Sequence, residues 1–353
     1  MKILVIIIAL SSLALSKLSE TSAASVEEAL DQLNRRPAAE RQAILEREAR
    51  KEGRIVFHTT LNVADLQDLK RLFEQKYPFL KIEYFRLGHA RLANKIRTEA
   101  LAGSLEADAI SMPAPYLDEL RKAGAITRLR APFRNQLHEG FIDKEGWLNG
   151  IYNISYFLQY NTKLVRPEEL PRDWSDLLDA KWQGQLAVDQ ESYEWFAALL
   201  DSMGEDKGLR FTRQLAERGL SVRRGHTLLS QLVAAGEFNM VIDQYDHIAY
   251  RAAKSGSPTN YFFFNPVLAE PPNATWITRQ SQRPHAAALF VDFLFSKESQ
   301  LLLSQLGRRV AHKEVSYLPR VPANQRWIAG NREKWGPRSN ELIKMFRGTF
   351  LVR

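Results

Sequence analysis

The sequence predicts an α/β fold built as two lobes around a central cleft. Apolar, β-branched runs of strand length alternate with stretches of helical period from residue 54 onward, which is the pattern of strands joined by packed helices. The alternation breaks and restarts after Trp147, and 353 residues suffice for about two domains. With 45% hydrophobic and 25% charged residues the chain can bury a core in each.

The first segment departs from this composition. Lys2 precedes an uncharged apolar run at 3–15, and small residues follow at Ser22-Ala23-Ala24. This is the anatomy of a secretory signal peptide at 1–24, cut after Ala24 or after Ser16, because the run falls short of the roughly 20 residues a membrane span needs. The expected location is therefore periplasmic. The chain has no cysteine, which excludes a lipid-anchored form, thiolate catalysis, thiolate metal sites and disulfides. Residues 25–50 are charged and alanine-rich and read as a helical extension, with Pro37 opening a helix that Gly53 closes.

Lobe one is expected first at 51–155. Its strands lie at 54–59, 81–87 and 107–112. The helix after Asn62 carries Leu66, Leu69, Phe73 and Tyr77 on one face and stops at Pro78; helices at 91–102 and 116–123 follow. Lobe two is expected at 156–265, opened by an aromatic strand at 151–160. It continues with strands at 185–188, 220–223, 238–243 and 260–264 and helices at 192–203, 207–218, 227–235 and 247–254. Residues 266–353 are assigned back to lobe one, with helices at 284–295 and 297–306 and further C-terminal helices. Two hinge crossings follow, near 155–160 and 264–266.

Parallel strands with right-handed crossovers place every strand-to-helix turn on one edge, where open α/β sheets bind ligands. In lobe one those turns are Thr59-Thr60, Gly88-His89 and Met112-Pro113; in lobe two they are Gln190-Glu191, Gly225-His226 and Gln244-Tyr245. The net charge of +8 is spread along the chain among acids, so no clustered phosphate-tracking surface is present and nucleic acid is not an expected partner.

Several segments in order resemble the family of solute-binding proteins that includes the ferric-ion-binding proteins of iron ABC importers. They are Glu52-Gly53-Arg54-Ile55-Val56-Phe57-His58-Thr59-Thr60, Phe73-Glu74-Gln75-Lys76-Tyr77-Pro78, Glu106-Ala107-Asp108-Ala109, Tyr160-Asn161-Thr162-Lys163-Leu164-Val165, the stretch from Trp174 to Gly184, Ala234-Ala235-Gly236-Glu237, and the stretch from Pro284 to Leu294. The resemblance implies a type 2 periplasmic-binding-protein fold, monomeric and not an enzyme, which captures a solute in the cleft and delivers it to a permease and an ATPase. It leaves the ligand open, since relatives bind ferric ion, phosphonates, thiamine and other solutes.

Two ligand readings stand side by side. Iron-binding relatives use adjacent tyrosines after a lobe-two strand; here the matching stretch is Asp243-Gln244-Tyr245-Asp246-His247, with one tyrosine and Asp246 in place of the second. The candidates for a bound Fe³⁺ are His58, Glu191, Tyr193 and Tyr245, against a bland reading in which His58 packs at the sheet edge and Tyr245 is an aromatic cleft wall. The other reading uses helix starts at Thr59-Thr60, Gly88-His89 and Gly225-His226-Thr227, with Met112 beside them, whose free amides favour an anion. Thr227 is equally readable as a helix cap. Glu191 and Tyr193 belong to a turn rich in acids and aromatics suited to a flat or cationic solute, whereas Trp195 and Leu199 fall on the core period. No resident cofactor is implied. The metalloprotease, serine-hydrolase and phosphate-loop motifs do not occur in the sequence; an exported hydrolase built on Glu191 and a sensor subunit remain the rival functions.

Overall fold

The computed structural model describes residues 25–318, 321–322 and 324–351, so the expected signal peptide lies outside the described residues. Ser25 opens α1 (Val26–Asn34) with a reciprocal cap: its hydroxyl accepts from the Glu28 amide and the Glu28 carboxylate accepts from the Ser25 amide. Pro37 precedes α2 (Ala38–Glu52), and Gly53, at φ 70°, ends it. The chain then forms β1 (Arg54–Thr59), α3 (Val63–Lys76), β2 (Lys81–Arg86), α4 (His89–Leu101), β3 (Ala109–Pro113), α5 (Leu117–Lys122) and β4 (Gly150–Asn153).

Lobe two contains β5 (Ser155–Asn161), β6 (Leu186–Asp189), α6 (Tyr193–Met203), α7 (Glu205–Glu217), β7 (Ser221–Arg223), α8 (His226–Ala235), β8 (Met240–Tyr245), α9 (Asp246–Lys254), β9 (Thr259–Phe262) and β10 (Val267–Ala269). The chain returns to lobe one for β11 (Asn273–Ile277), α10 (Pro284–Phe295), α11 (Lys297–Gln305) and β12 (Arg309–Val310). It ends on lobe two with β13 (Trp327–Ala329), α12 (Arg332–Trp335) and α13 (Ser339–Phe350).

The lobe-one sheet runs β12-β4-β11-β3-β1-β2, and the lobe-two sheet β13-β10-β5-β8-β6-β7, with β9 also pairing β5. The expected parallel pairing is present at β2-β1-β3 and β7-β6-β8. The two strands that enter a sheet from the opposite lobe run against these: β11 is antiparallel to β3 and to β4 in the lobe-one sheet, and β5 is antiparallel to β8 and to β10 in the lobe-two sheet.

Three assignments change. The aromatic run at 151–160 is not one strand: it breaks at Ile154 and serves both sheets, β4 in one lobe and β5 in the other. The second crossing lies at 270–272, since β10 still belongs to the lobe-two sheet, and the Glu270 amide donates to the Ile154 carbonyl at 2.8 Å, tying the two crossings together. A third crossing after β12 sends the C-terminus to lobe two. There Leu342, Phe346 and Phe350, spaced four apart on α13, bury their rings and side chain against Phe196 and Trp195.

The lobe-one core is organised by α10, which is apolar all round and buried accordingly. Phe290 meets Phe57 and Phe73 edge-on at 4.9 and 5.1 Å. The single acid of that helix, Asp292, is paired with the buried guanidinium of Arg41 on α2, and Leu45 and Ala49 join the same core. The segment at 25–50 is thus part of lobe one and not an appendage.

Candidate functional site

A cavity of about 570 Å³ lies between the lobes at the crossings. A hollow of similar size, about 630 Å³, lies on the outer face of lobe two between α7 and α13; it takes nothing from lobe one and gathers none of the strand-end turns. The interlobe cavity is lined from lobe one by Thr60, Asn62, Val63 and Ala64 around the start of α3, by Arg86 and His89 around the start of α4, and by Pro113, Tyr152, Asn273 and Arg308. Lobe two supplies Gly225, His226 and Thr227 at the start of α8, Tyr245, and His247, Ile248 and Arg251 on α9, and the crossings supply Ile154, Glu270 and Pro271.

Helix starts face this space for local reasons. Asn62 caps α3 by accepting from the Asp65 amide at 2.9 Å, which leaves the amides of Val63 and Ala64 at the cavity wall without intrahelical acceptors. Gly225, at φ 103°, makes the turn into α8 and donates its amide to Asp189. The donors left at this end begin at His226 and Thr227. Gly225 is the N-cap residue and α8 has no side-chain cap, so the cap reading of Thr227 does not hold; its side chain stands exposed on the cavity wall.

Three guanidinium groups add charge. Arg308 is buried, donates to Asp65 at 2.8 and 3.1 Å, lies 3.2 Å from Nδ1 of His247 and covers the Tyr152 ring. Arg251 of lobe two reaches the other Asp65 oxygen at 2.6 Å and the Leu306 carbonyl at 2.9 Å. Asp65 therefore bridges the lobes. Burial alone would raise its pKa, but Arg308 and Arg251 outweigh burial and lower it. Arg86 reaches the Leu61 carbonyl at 3.3 Å and lies exposed at the rim.

Burial holds the cleft histidines neutral, pushing His226 down to about 3 and His247 well below its ordinary value with help from Arg308 and Arg251. The Tyr245 ring lies against His226 at 3.7 Å between centroids. Burial, together with the neighbouring Glu270 carboxylate, holds its phenol well above the ordinary tyrosine value. The hydroxyl of Tyr156 donates to Glu270, at 2.9 Å.

Of the residues singled out from sequence, Thr60, His89, Gly225, His226, Thr227 and Tyr245 meet around this cavity. Others do not reach it. The Thr59 hydroxyl turns inward to accept from the Leu61 amide, Gly88 is the N-cap residue of α4, and Met112 is fully buried in the lobe-one core. Glu191 lies on the surface opposite Arg224 at 3.4 Å. Tyr193 packs edge-on against Phe346 and accepts from Arg347, because α13 covers the face expected to be open.

His58 is buried against Phe85, and burial pushes its pKa down to about 4. The four metal candidates therefore do not converge: only Tyr245 lines the cavity. Among the described residues, no group of three or more His, Asp or Glu side chains is placed to hold a metal ion. Sequence reasoning missed Arg86, Arg251, Arg308, Asp65 and Glu270, which sit on helix faces, at a strand end or at a crossing rather than in the strand-end turns.

A family model for bacterial extracellular solute-binding proteins matches residues 69–325. No curated protein matches the chain at the level of sequence. Among solved structures, the chain is similar to iron-bound HitA from Pseudomonas aeruginosa, with a TM-score of 0.71 and 19% identity over 83% of this chain and 99% of that one. It is similar to the periplasmic binding protein AfuA from Actinobacillus pleuropneumoniae with fructose-6-phosphate bound, with a TM-score of 0.70 and 20% identity over 86% and 100%. A ferric binding protein from Campylobacter jejuni gives a TM-score of 0.70 and 14% identity over 84% and 99%. The two sheets joined through antiparallel crossing strands have the type 2 periplasmic-binding-protein architecture of these structures. The match over most of the sequence places the chain in the family of bacterial extracellular solute-binding proteins.

Proposed function

We propose that the protein is the exported receptor of an ABC importer and captures a small organic anion in the interlobe cavity for delivery to a membrane permease. The observation that carries the anion is the gathering of helix starts from both lobes, at Val63-Ala64 and at His226-Thr227, with Arg86, Arg251 and Arg308 around one cavity. Each helix start presents about half a positive charge and unpaired amides. A closed cleft of low dielectric strengthens their attraction for an anion. AfuA, solved with a sugar phosphate, shares the fold. Native mass spectrometry of the protein purified from its own host is expected to show a retained anionic solute, and calorimetric titration with that solute should give one site per chain. A retained cation would overturn the reading.

A ferric complex is the second reading, favoured by the similarity to HitA and the Campylobacter protein and by Tyr245 on the cavity wall. Against it stand the burial of that phenol and the Glu270 carboxylate near it, which together make its proton hard to displace, and the separation of the other three candidate ligands. Adding Fe³⁺ with citrate is expected to give no visible phenolate-to-iron band. A strong band that disappears in Tyr245→Phe would establish iron instead.

A further inference from the structure

We propose that Glu270 sets the class of solute: the anion held in the cleft is a polyhydroxylated one, and the Glu270 carboxylate accepts its hydroxyl hydrogens. This rests on the anion reading above and narrows it.

Glu270 follows the last residue of β10 and begins the second crossing, pinned by its amide to the Ile154 carbonyl. Its side chain lines the cavity although the residue is only 7% exposed. The Tyr156 hydroxyl of lobe two donates to it at 2.9 Å, and Tyr245 of the same lobe lies beside it on the cavity wall. A carboxylate has room for about four donors, so acceptor capacity remains for the cavity side.

Among the described residues no lysine or arginine comes within ion-pair distance of Glu270, in contrast to Asp65, which is paired with Arg251 and Arg308. A buried acceptor that is only partly satisfied is costly. It is also an odd neighbour for an anion unless the solute itself brings donors. The cavity keeps a positive excess, because its wall carries Arg86, Arg251 and Arg308 against Glu270, and Asp65 behind the wall offsets only one of those charges. A hydroxylated anion satisfies both ends: its charged group takes the helix starts and arginines, and its hydroxyls take Glu270. An anion with acceptors only would meet the carboxylate unpaired and repelled.

The test is calorimetric titration of solute-free protein with anions matched in size and charge: fructose 6-phosphate against hexyl phosphate, glycerol 3-phosphate against propyl phosphate, and gluconate against hexanoate. In at least one pair the hydroxylated member is expected to bind about tenfold to a hundredfold more tightly, the span of one charge-assisted hydrogen bond. Glu270→Gln should shrink that ratio by weakening the hydroxylated member and sparing or improving the plain one, whereas a merely structural role would weaken both alike. Tyr156→Phe, which frees one lone pair of the carboxylate, should widen the ratio and serves if Glu270→Gln does not fold.

Equal affinities within every pair, with the plain anions binding, would overturn the proposal and leave the anion reading intact. Binding of none of the six anions would overturn both. Phosphoethanolamine binding far above glycerol 3-phosphate would assign Glu270 to an ammonium group and overturn the hydroxyl assignment.

Discussion

Thr227 has no partner for its hydroxyl among the described hydrogen bonds and stands on the cavity wall in the first turn of α8. Thr227→Ala is expected to remove one charge-assisted hydrogen bond to the anion, roughly 1.5 to 3 kcal/mol, or about tenfold to a hundredfold in affinity. Calorimetry against the retained solute measures it, and unchanged binding would refute the role.

Deeper in the same lobe, Asp243 is fully buried. One of its oxygens accepts from the Ser192 hydroxyl and the Asp189 amide, and the other has no partner among the described residues. Burial pushes its pKa up to about 7 from an ordinary 3.8, despite the Ser192 hydrogen bond. The folded protein therefore holds this proton more tightly than the unfolded chain, and its contribution to stability is lost as pH rises from about 4 to about 7. His58 and His226, pushed down to about 4 and about 3, work in the opposite sense and cost stability as pH falls below about 6.5. Asp243→Asn should remove only the first effect, so that stability measured by urea unfolding falls less between pH 5 and pH 8 than in the parent. Parallel profiles would refute the assignment.

At the scale of elements, the turn between α11 and β12 presses lobe one onto α9 of lobe two. Gly307 makes that turn at φ 87°, and a Cβ there would come within 2.9 Å of the His247 Cα and 3.0 Å of the Tyr250 ring. Gly307→Ala would therefore be strained in its backbone and would wedge the lobes apart where Arg251 reaches the Leu306 carbonyl. A loss of about 1 to 3 kcal/mol in unfolding free energy is expected, together with a larger radius of gyration in scattering. A variant as stable and compact as the parent would show that this contact does not set the spacing of the lobes.

For the molecule as a whole, the lobes are joined by three crossings, of which the first two are hydrogen-bonded to each other through Ile154 and Glu270. Two compact bodies on such a joint close as near-rigid units around a ligand. Small-angle scattering should show contraction when the retained solute is added back to stripped protein, with the internal structure of each lobe unchanged. A constant radius of gyration at saturation would rule out closure.

What the sequence determined by itself is what depends on neighbours along the chain. The apolar periods place Leu66, Leu69 and Phe73 on one face of α3, and all three are buried in the structure. Ser296 caps α11 and Trp195 and Leu199 lie in the core, as their local patterns require. The starts of α3 and α8 face the cavity because parallel β-α units leave little choice of edge.

Tertiary structure alone decided what depends on residues far apart. Asp65 finds Arg251 and Arg308 across 186 and 243 positions, and no spacing announces such a pair. Tyr193 was expected in the cleft and is covered instead by Phe346, 153 positions further on, because the apolar face of α13 needed a partner and found it on α6. Glu270 reads in sequence as an acid before two prolines. Only the meeting of Tyr156, Tyr245 and the cavity makes it a candidate for recognition, because a buried carboxylate takes its meaning from what is left to pair with it.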